Sequence, residues 1–245
     1  MTDSSRKLAI FDLDGTVYRW QLYHELVFTL KDRGMFSPDR AEELDSAYDE
    51  WRNRQTSFDV YERQVIDTLV GSLTSIPPHT FDEAAQEVSE RSGRKTYRYT
   101  LALMRTLKKQ GYFLLAVSGS QQEVAELFAR KFDFDDCIGS LYEREGDQFT
   151  GNIVRFIPGN KDVYIKQYAK AHGFSLEDSV AVGDTGGDIT MLELVDHPIA
   201  FNPNGELLKV AQERGWKIVV ERKNVALTLE TDAGGQTSLT STDIY

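Results

Sequence analysis

Cysteine is almost absent from this chain. One thiol, Cys137, in 245 residues excludes an internal disulfide, and with no histidine or second cysteine beside it in sequence it supplies neither a redox pair nor a metal set. Histidine is scarce as well. His24, His79, His172 and His197 share no metal-ligand spacing, which sets aside a centre built on imidazole. Long apolar runs are missing: the longest, Phe113 to Val117, is far too short to cross a bilayer. The opening stretch, Met1 to Lys7, is polar and holds no apolar signal region, so the expectation is a soluble, cytoplasmic protein. Basic residues are outnumbered, 28 Lys and Arg against 39 Asp and Glu, for a net charge of −11. Such a field repels nucleic acid and anionic membrane surfaces, which need clustered cations to displace counterions. There is no GxxxxGK sequence followed by Ser or Thr, and no internal repeat.

What is present is a chain with 40% apolar residues, enough to bury a sizeable core. Leu8-Ala9-Ile10-Phe11 is an apolar run that stops abruptly at Asp12-Leu13-Asp14-Gly15-Thr16, as a buried strand opening into a turn does. The same unit recurs at Tyr112 to Val117 before Ser118-Gly119-Ser120, and at Ser179 to Val182 before Gly183-Asp184-Thr185-Gly186-Gly187-Asp188. Helical spacing follows at Gln121 to Lys131, Lys161 to His172 and Ile189 to Leu194, and further strands fit Cys137 to Leu141, Ile199 to Phe201 and Lys217 to Val220. This alternation predicts an α/β fold, a doubly wound parallel sheet covered by helices on both faces. Tyr142 to Val154, centred on Gly146-Asp147, predicts a β-hairpin.

Residues 19–95 read differently. Gln21 to Arg33, Asp39 to Arg54, Phe58 to Val70 and Thr80 to Arg91 are amphipathic helices with no strand pattern between them, and Ser37, Ser57 and Thr80 suit their N-caps. The expected organisation is a core made of residues 1–18 and 96–230, a helical cap over 19–95, and a disordered tail over 231–245, where Thr, Ser, Gly and Asp follow no period. The cap aromatics Trp20, Tyr23, Phe28 and Trp51 are expected to pack helices together.

In an open parallel sheet, the loops at the carboxyl ends of the strands form the ligand crevice. That rule brings Asp12, Asp14, Ser118, Asp184 and Asp188 to one edge. Four are carboxylates, and like charges so close require raised pKa values or a cation among them. An oxygen-only cluster without His or Cys suits Mg²⁺, which takes one or two carboxylates and fills its remaining positions with water and substrate phosphate. Ser118 and the N–H groups of Gly119 and Ser120, read as the start of a helix, offer a phosphate site near a positive dipole end. Lys161 could bring an ammonium to the same point. An aligned nucleophile, charge neutralisation and proton transfer are what phosphoryl transfer asks of a protein.

The set Asp12-Leu13-Asp14-Gly15-Thr16, Ser118-Gly119, Lys161 and Gly183-Asp184-Thr185-Gly186-Gly187-Asp188 resembles, in order and type, the four motifs of the haloacid dehalogenase superfamily. Within it the chain resembles the phosphoserine phosphatase-like branch, with a helical cap after the first motif and a GDxxxD fourth motif. The resemblance implies a Rossmann-like core and a Mg²⁺-dependent phosphatase acting on a small phosphorylated metabolite. It implies that Asp12 is the nucleophile that becomes an aspartyl phosphate and that Asp14 is the general acid and base. Ser118, Gly119 and Lys161 would bind phosphate, while Asp12, the backbone carbonyl of Asp14 and Asp184 hold Mg²⁺ and Asp188 acts through Lys161 or a metal-bound water. The presence of Asp14 argues against a dehalogenase, whose halide leaving group needs no proton. For substrate selectivity the resemblance points to Gln21, where the branch has a glutamate, to Glu25 one helical turn on, and to Arg63 as a carboxylate partner. Gly187 replaces the branch's asparagine, so phosphoserine is one candidate substrate among several. A phosphotransferase or mutase with the same nucleophile, and a non-catalytic scaffold on the same fold, stay open as alternatives.

Overall fold

The structure, a computed structural model, describes residues 7–245. Strand β1 (Lys7–Phe11) alternates its faces: Ala9 and Phe11 join one apolar cluster, Leu8 and Ile10 the other. A strand buried on both sides must be apolar at every position, and four consecutive apolar residues meet that demand. β2 (Phe113–Gln121) and β5 (Ser175–Gly183) flank β1, both parallel to it. Beyond β2 lies β3 (Asp136–Glu145), which turns back through β4 (Gln148–Arg155) as the expected hairpin. Beyond β5 lie parallel β6 (His197–Phe201) and β7 (Lys217–Arg222), then antiparallel β8 (Val225–Thr231) and β9 (Thr237–Ile244). The order β4-β3-β2-β1-β5-β6-β7-β8-β9 sends the chain one way after β1 and the other way from β5 onward. The switch point, where a crevice must open, therefore lies at the carboxyl end of β1.

Helices α1 (Leu22–Asp32), α2 (Pro38–Arg52), α3 (Phe58–Ser72) and α4 (Pro78–Ser92) follow β1, with α5 (Arg98–Lys109) leading into β2 and α6 (Gln122–Lys131) leaving it. Buried residues of α1, α3, α4, α5 and α6 share one apolar cluster with one face of the sheet. The other face is covered by α7 (Lys161–His172), the short α8 (Ile189–Leu192) and α9 (Gly205–Glu213). The chain leaves the sheet at Val17–Arg19 and returns at Lys95–Tyr97 side by side: Arg19 N–H donates to the Lys95 carbonyl at 2.7 Å and Tyr97 N–H to the Val17 carbonyl at 3.1 Å. Glu221 pins this junction. Its buried carboxylate accepts from Arg19 at 2.5 Å and from the Tyr99 N–H at 2.8 Å, satisfying a first-turn donor of α5 that no local side chain caps.

Ser37 and Ser57 cap α2 and α3, accepting from the N–H groups of Arg40 and Val60. Thr80 does not cap α4. That helix begins at Pro78, because a proline with φ preset for helix and no N–H to satisfy is a better first residue. The expectation of a disordered tail over 231–245 is corrected: β9 runs antiparallel to β8, with Leu227 opposite Thr242. Asp232 Oδ1 accepts from the N–H groups of Gly234 and Gln236 and shapes the turn, and the Tyr245 N–H reaches the Asn224 carbonyl at 2.9 Å. A ladder is made by backbone groups, so a polar, threonine-rich segment can complete an edge without burying apolar side chains. No helix among the described residues is long and apolar enough to cross a membrane.

Candidate active site

Asp12 and Asp14 leave the end of β1 into a loop that only glycine permits. Gly15 has φ +87°, and a Cβ there would lie 2.1 Å from Asp184 Oδ2. The close approach of this loop to the one after β5 brings residues 172 positions apart into a single cluster. One oxygen each from Asp12, Asp184 and Asp188 lie within 4.8 Å of one another.

Lys161, the first residue of α7, is buried against them, with Nζ 2.5 Å from Asp12 Oδ1 and 2.6 Å from Asp188 Oδ1. Burial alone would lower the Lys161 pKa, but the two carboxylates outweigh it and hold the ammonium charged. Asp188 has no oxygen to spare. Its Oδ2 accepts from the N–H groups of Asp184 and Thr185, both at 3.0 Å, so it fixes the loop and Lys161 together. Asp12 differs: Oδ1 meets Lys161, while Oδ2 is buried with no hydrogen-bond partner. A buried carboxylate oxygen without a partner is costly and calls for a cation or a reacting atom. With Asp184 beside it, this oxygen-only donor set fits a hard divalent cation.

Asp14 is held by three donors. Oδ2 accepts from the hydroxyls of Ser118 at 2.6 Å and Ser120 at 2.8 Å, and Oδ1 from the Leu22 N–H at 2.5 Å. Gln21 makes no side-chain cap to α1, so Asp14 serves the first turn in its place. Burial raises the Asp14 pKa above 3.8 against the pull of those hydrogen bonds. Ser118 is fully buried, and its hydroxyl is occupied by Asp14 and by the Ser120 N–H. The expectation that Ser118 to Ser120 open a helix is corrected: β2 continues through Gln121 and α6 starts at Gln122.

The cleft above these residues has a volume of about 630 Å³, and Asp12, Asp14, Gly119, Lys161 and Asp184 all line it. Gln21 lines it too; Glu25 and Arg63, the other two residues expected to select substrate, do not. Gln21 is the extended N-cap residue of α1, its carbonyl accepting the Glu25 N–H at 3.2 Å, while Glu25 lies within the helix and its side chain meets Tyr18, Arg91 and Lys95 away from the cleft. Glu25 instead accepts from Tyr18 at 2.8 Å, Arg91 at 2.8 Å and Lys95 at 2.7 Å, beside a second, smaller cavity walled by Trp20, His24, Phe28 and Tyr48. His24 is kept neutral there, its pKa pushed down to about 3 by burial. Arg63 is exposed.

Sequence reading missed Ser120 as a ligand of Asp14 and Tyr23, Asp59 and Glu62 as cleft residues. The signal for the two acids was there: Asp59, Glu62 and Ile66 fall at i, i+3 and i+7, one face of α3.

The acid cluster has a thermodynamic consequence. Burial first, then neighbouring carboxylates, raises the pKa of Asp12 and of Asp184 above 3.8. Once pH exceeds that value, the folded protein keeps protons that the unfolded chain has lost, so these groups make stability fall as pH rises. In EDTA the melting temperature is expected to drop between about pH 5 and about pH 8, and Mg²⁺ to raise it most at the alkaline end. Thermal melts test this; a melting temperature that is independent of Mg²⁺ throughout would contradict it.

Known proteins share this pattern. Residues 9–193 match the family model for haloacid dehalogenase-like hydrolases. A phosphoserine phosphatase of Archaeoglobus fulgidus is 26% identical over 208 residues, 84% of this chain and 55% of that protein. The chain spans about half the length of that protein and of a phosphoserine phosphatase of Mycobacterium tuberculosis, to which it is also 26% identical. A histidinol-phosphatase of Neisseria meningitidis is 24% identical, covering 87% of this chain and 98% of that protein. A solved structure of a Bordetella pertussis protein of unknown function superposes with a TM-score of 0.71 at 23% identity, over 88% of this chain and 98% of that one, which shows the fold. The chain belongs to the haloacid dehalogenase-like hydrolases, in their phosphoserine phosphatase-like branch.

Proposed function

We propose that this protein is a Mg²⁺-dependent phosphatase that hydrolyses a small phosphomonoester through an aspartyl phosphate on Asp12. The observation that carries the reading is Asp12 itself, a residue that lines the cleft: one oxygen is ion-paired to Lys161, the other buried and unpartnered. Mg²⁺ bound by Asp12, Asp184 and the carbonyl of Asp14 supplies neutralisation of the phosphoryl oxygens. Asp12 Oδ2 attacks phosphorus, the ester P–O bond breaks, and the leaving oxygen takes the proton of Asp14. Asp14 then accepts a proton from water, whose oxygen attacks phosphorus and breaks the bond to Asp12, releasing inorganic phosphate. Burial favours the protonated form of Asp14 needed for the first step. To reach the leaving group, Asp14 gives up one of its bonds to Ser118, Ser120 or Leu22, so its release is tied to the start of α1. Lys161 stays between Asp12 and Asp188 and neutralises charge on the transferring group, and Gly119 and Ser120 line the same cleft.

Phosphate release from purified protein is expected with Mg²⁺ and not with EDTA. Phosphoserine and histidinol phosphate head the panel because two relatives carry those names. In Asp184→Asn the Mg²⁺ concentration for half-maximal rate is expected to rise by about tenfold or more, since one anionic ligand is lost. An unaltered Mg²⁺ requirement would remove Asp184 from the metal site, and absence of release from every ester would overturn the phosphatase.

A further inference from the structure

The cleft is charged unevenly. Among the described residues lining it are six carboxylates, Asp12, Asp14, Asp59, Glu62, Asp184 and Glu206, against one ammonium, Lys161, and no arginine. Lys161 is already paired with Asp12 and Asp188. Asp12, Asp14 and Asp184 belong to the phosphate end. Asp59 and Glu62 come from elsewhere, projecting from the first two turns of α3 together with Phe58 and Ile66. Neither makes an ion pair or a side-chain hydrogen bond with any described residue. Asp59 in the first turn is favoured by the helix dipole, but Glu62 is one turn further in, where that attraction fades.

α3 could have presented a cation here. Arg63 is the next residue, and one step along a helix rotates a side chain by about 100°. The phase of α3 is set by its Ser57 cap and by burial of Tyr61, Val65 and Leu69, and it turns Glu62 inward and Arg63 to solvent. A substrate carboxylate beside Asp59 and Glu62 would meet two like charges and no counter-charge; a substrate cation would meet two acids, in a cleft that Tyr23 and Phe58 also line.

Resting on the phosphatase reading, we propose that the cleft selects a phosphomonoester whose alcohol carries a positive charge and no carboxylate, an amino-alcohol phosphate whose ammonium is received by Glu62 and Asp59. Burial, followed by the neighbouring Asp59 and Asp14 carboxylates, holds the Glu62 pKa above its ordinary 4.5, as expected of an acid whose cationic partner is the substrate.

Three esters isolate the charge: phosphoethanolamine has the ammonium alone, phosphoserine has ammonium and carboxylate, and 2-phosphoglycolate has the carboxylate alone. p-Nitrophenyl phosphate serves as reference. In the Mg²⁺-loaded enzyme, kcat/KM for phosphoethanolamine is expected to exceed that for phosphoserine and for phosphoglycolate by about tenfold or more. Glu62→Gln is expected to lower the phosphoethanolamine to p-nitrophenyl phosphate ratio by about tenfold, mainly through KM. If p-nitrophenyl phosphate is turned over but phosphoserine or phosphoglycolate is preferred, or if the ratio survives Glu62→Gln, the charge selection is wrong and the phosphatase stands. If no ester is hydrolysed, both fall.

Discussion

Asp12→Asn is expected to abolish turnover, by about 10⁴-fold or more, while leaving the fold at least as stable as before. The loss follows from chemistry: an amide oxygen is a far weaker nucleophile than a carboxylate and forms no stable acyl phosphate. The stability follows from the surroundings. Asp12 lies with Asp184 and Asp188, and burial together with these like charges raises its pKa. Replacing it by an amide of equal volume removes one charge from a crowded set, and Lys161 keeps Asp188 as its partner. Active-site residues that relieve strain when substituted are the usual trade of stability for function. Phosphate release and thermal melts in EDTA, run on one preparation, check both halves. Retained turnover would remove Asp12 from the nucleophile's place; a lowered melting temperature would mean that the Asp12–Lys161 pair outweighs the repulsion.

Lys161→Met is expected to lose activity and stability together. The methionine fills the same space, so the effect is one of charge. Asp12 Oδ1 and Asp188 Oδ1 would both lose their ammonium while remaining buried, and removing one member of a buried ion-paired set costs about 3 kcal/mol or more. In a chain of this size that is on the order of 10 °C in melting temperature. Activity should fall by about 10²–10³-fold, the usual cost of one charge-stabilising group. The contrast between the two variants is the sharper test: one cluster, two substitutions without change of size, opposite effects on stability. Equal melting temperatures for the two would show that Lys161 does not hold the carboxylates.

Much of this site could be read before any coordinates. Asp12, Asp14, Asp184 and Asp188 each follow an apolar run, and a strand that ends in polar residues carries them to the sheet edge wherever the strands pair in parallel. The two-sided alternation in β1 and the hairpin at Gly146 were equally local signals. Reading failed where the answer lay with a partner distant in sequence. Helix α5 is capped by Glu221, which no local motif announces. The Thr-rich segment at the end of the chain is a strand because β8 offers it an edge. Ser118 bonds to Asp14, 104 residues away, and a side-chain hydroxyl carries no mark of which acceptor it will meet.

The sequence by itself determined which acids stand together at the sheet edge, because residue type and strand-end position are properties of neighbours along the chain. Only the tertiary structure decided what surrounds them. Whether α3 shows the cleft Glu62 or Arg63, and whether Glu25 faces substrate or Arg91, are matters of helical phase. One residue of offset is a rotation of about 100°, and that phase is set by caps and core contacts drawn from the whole molecule.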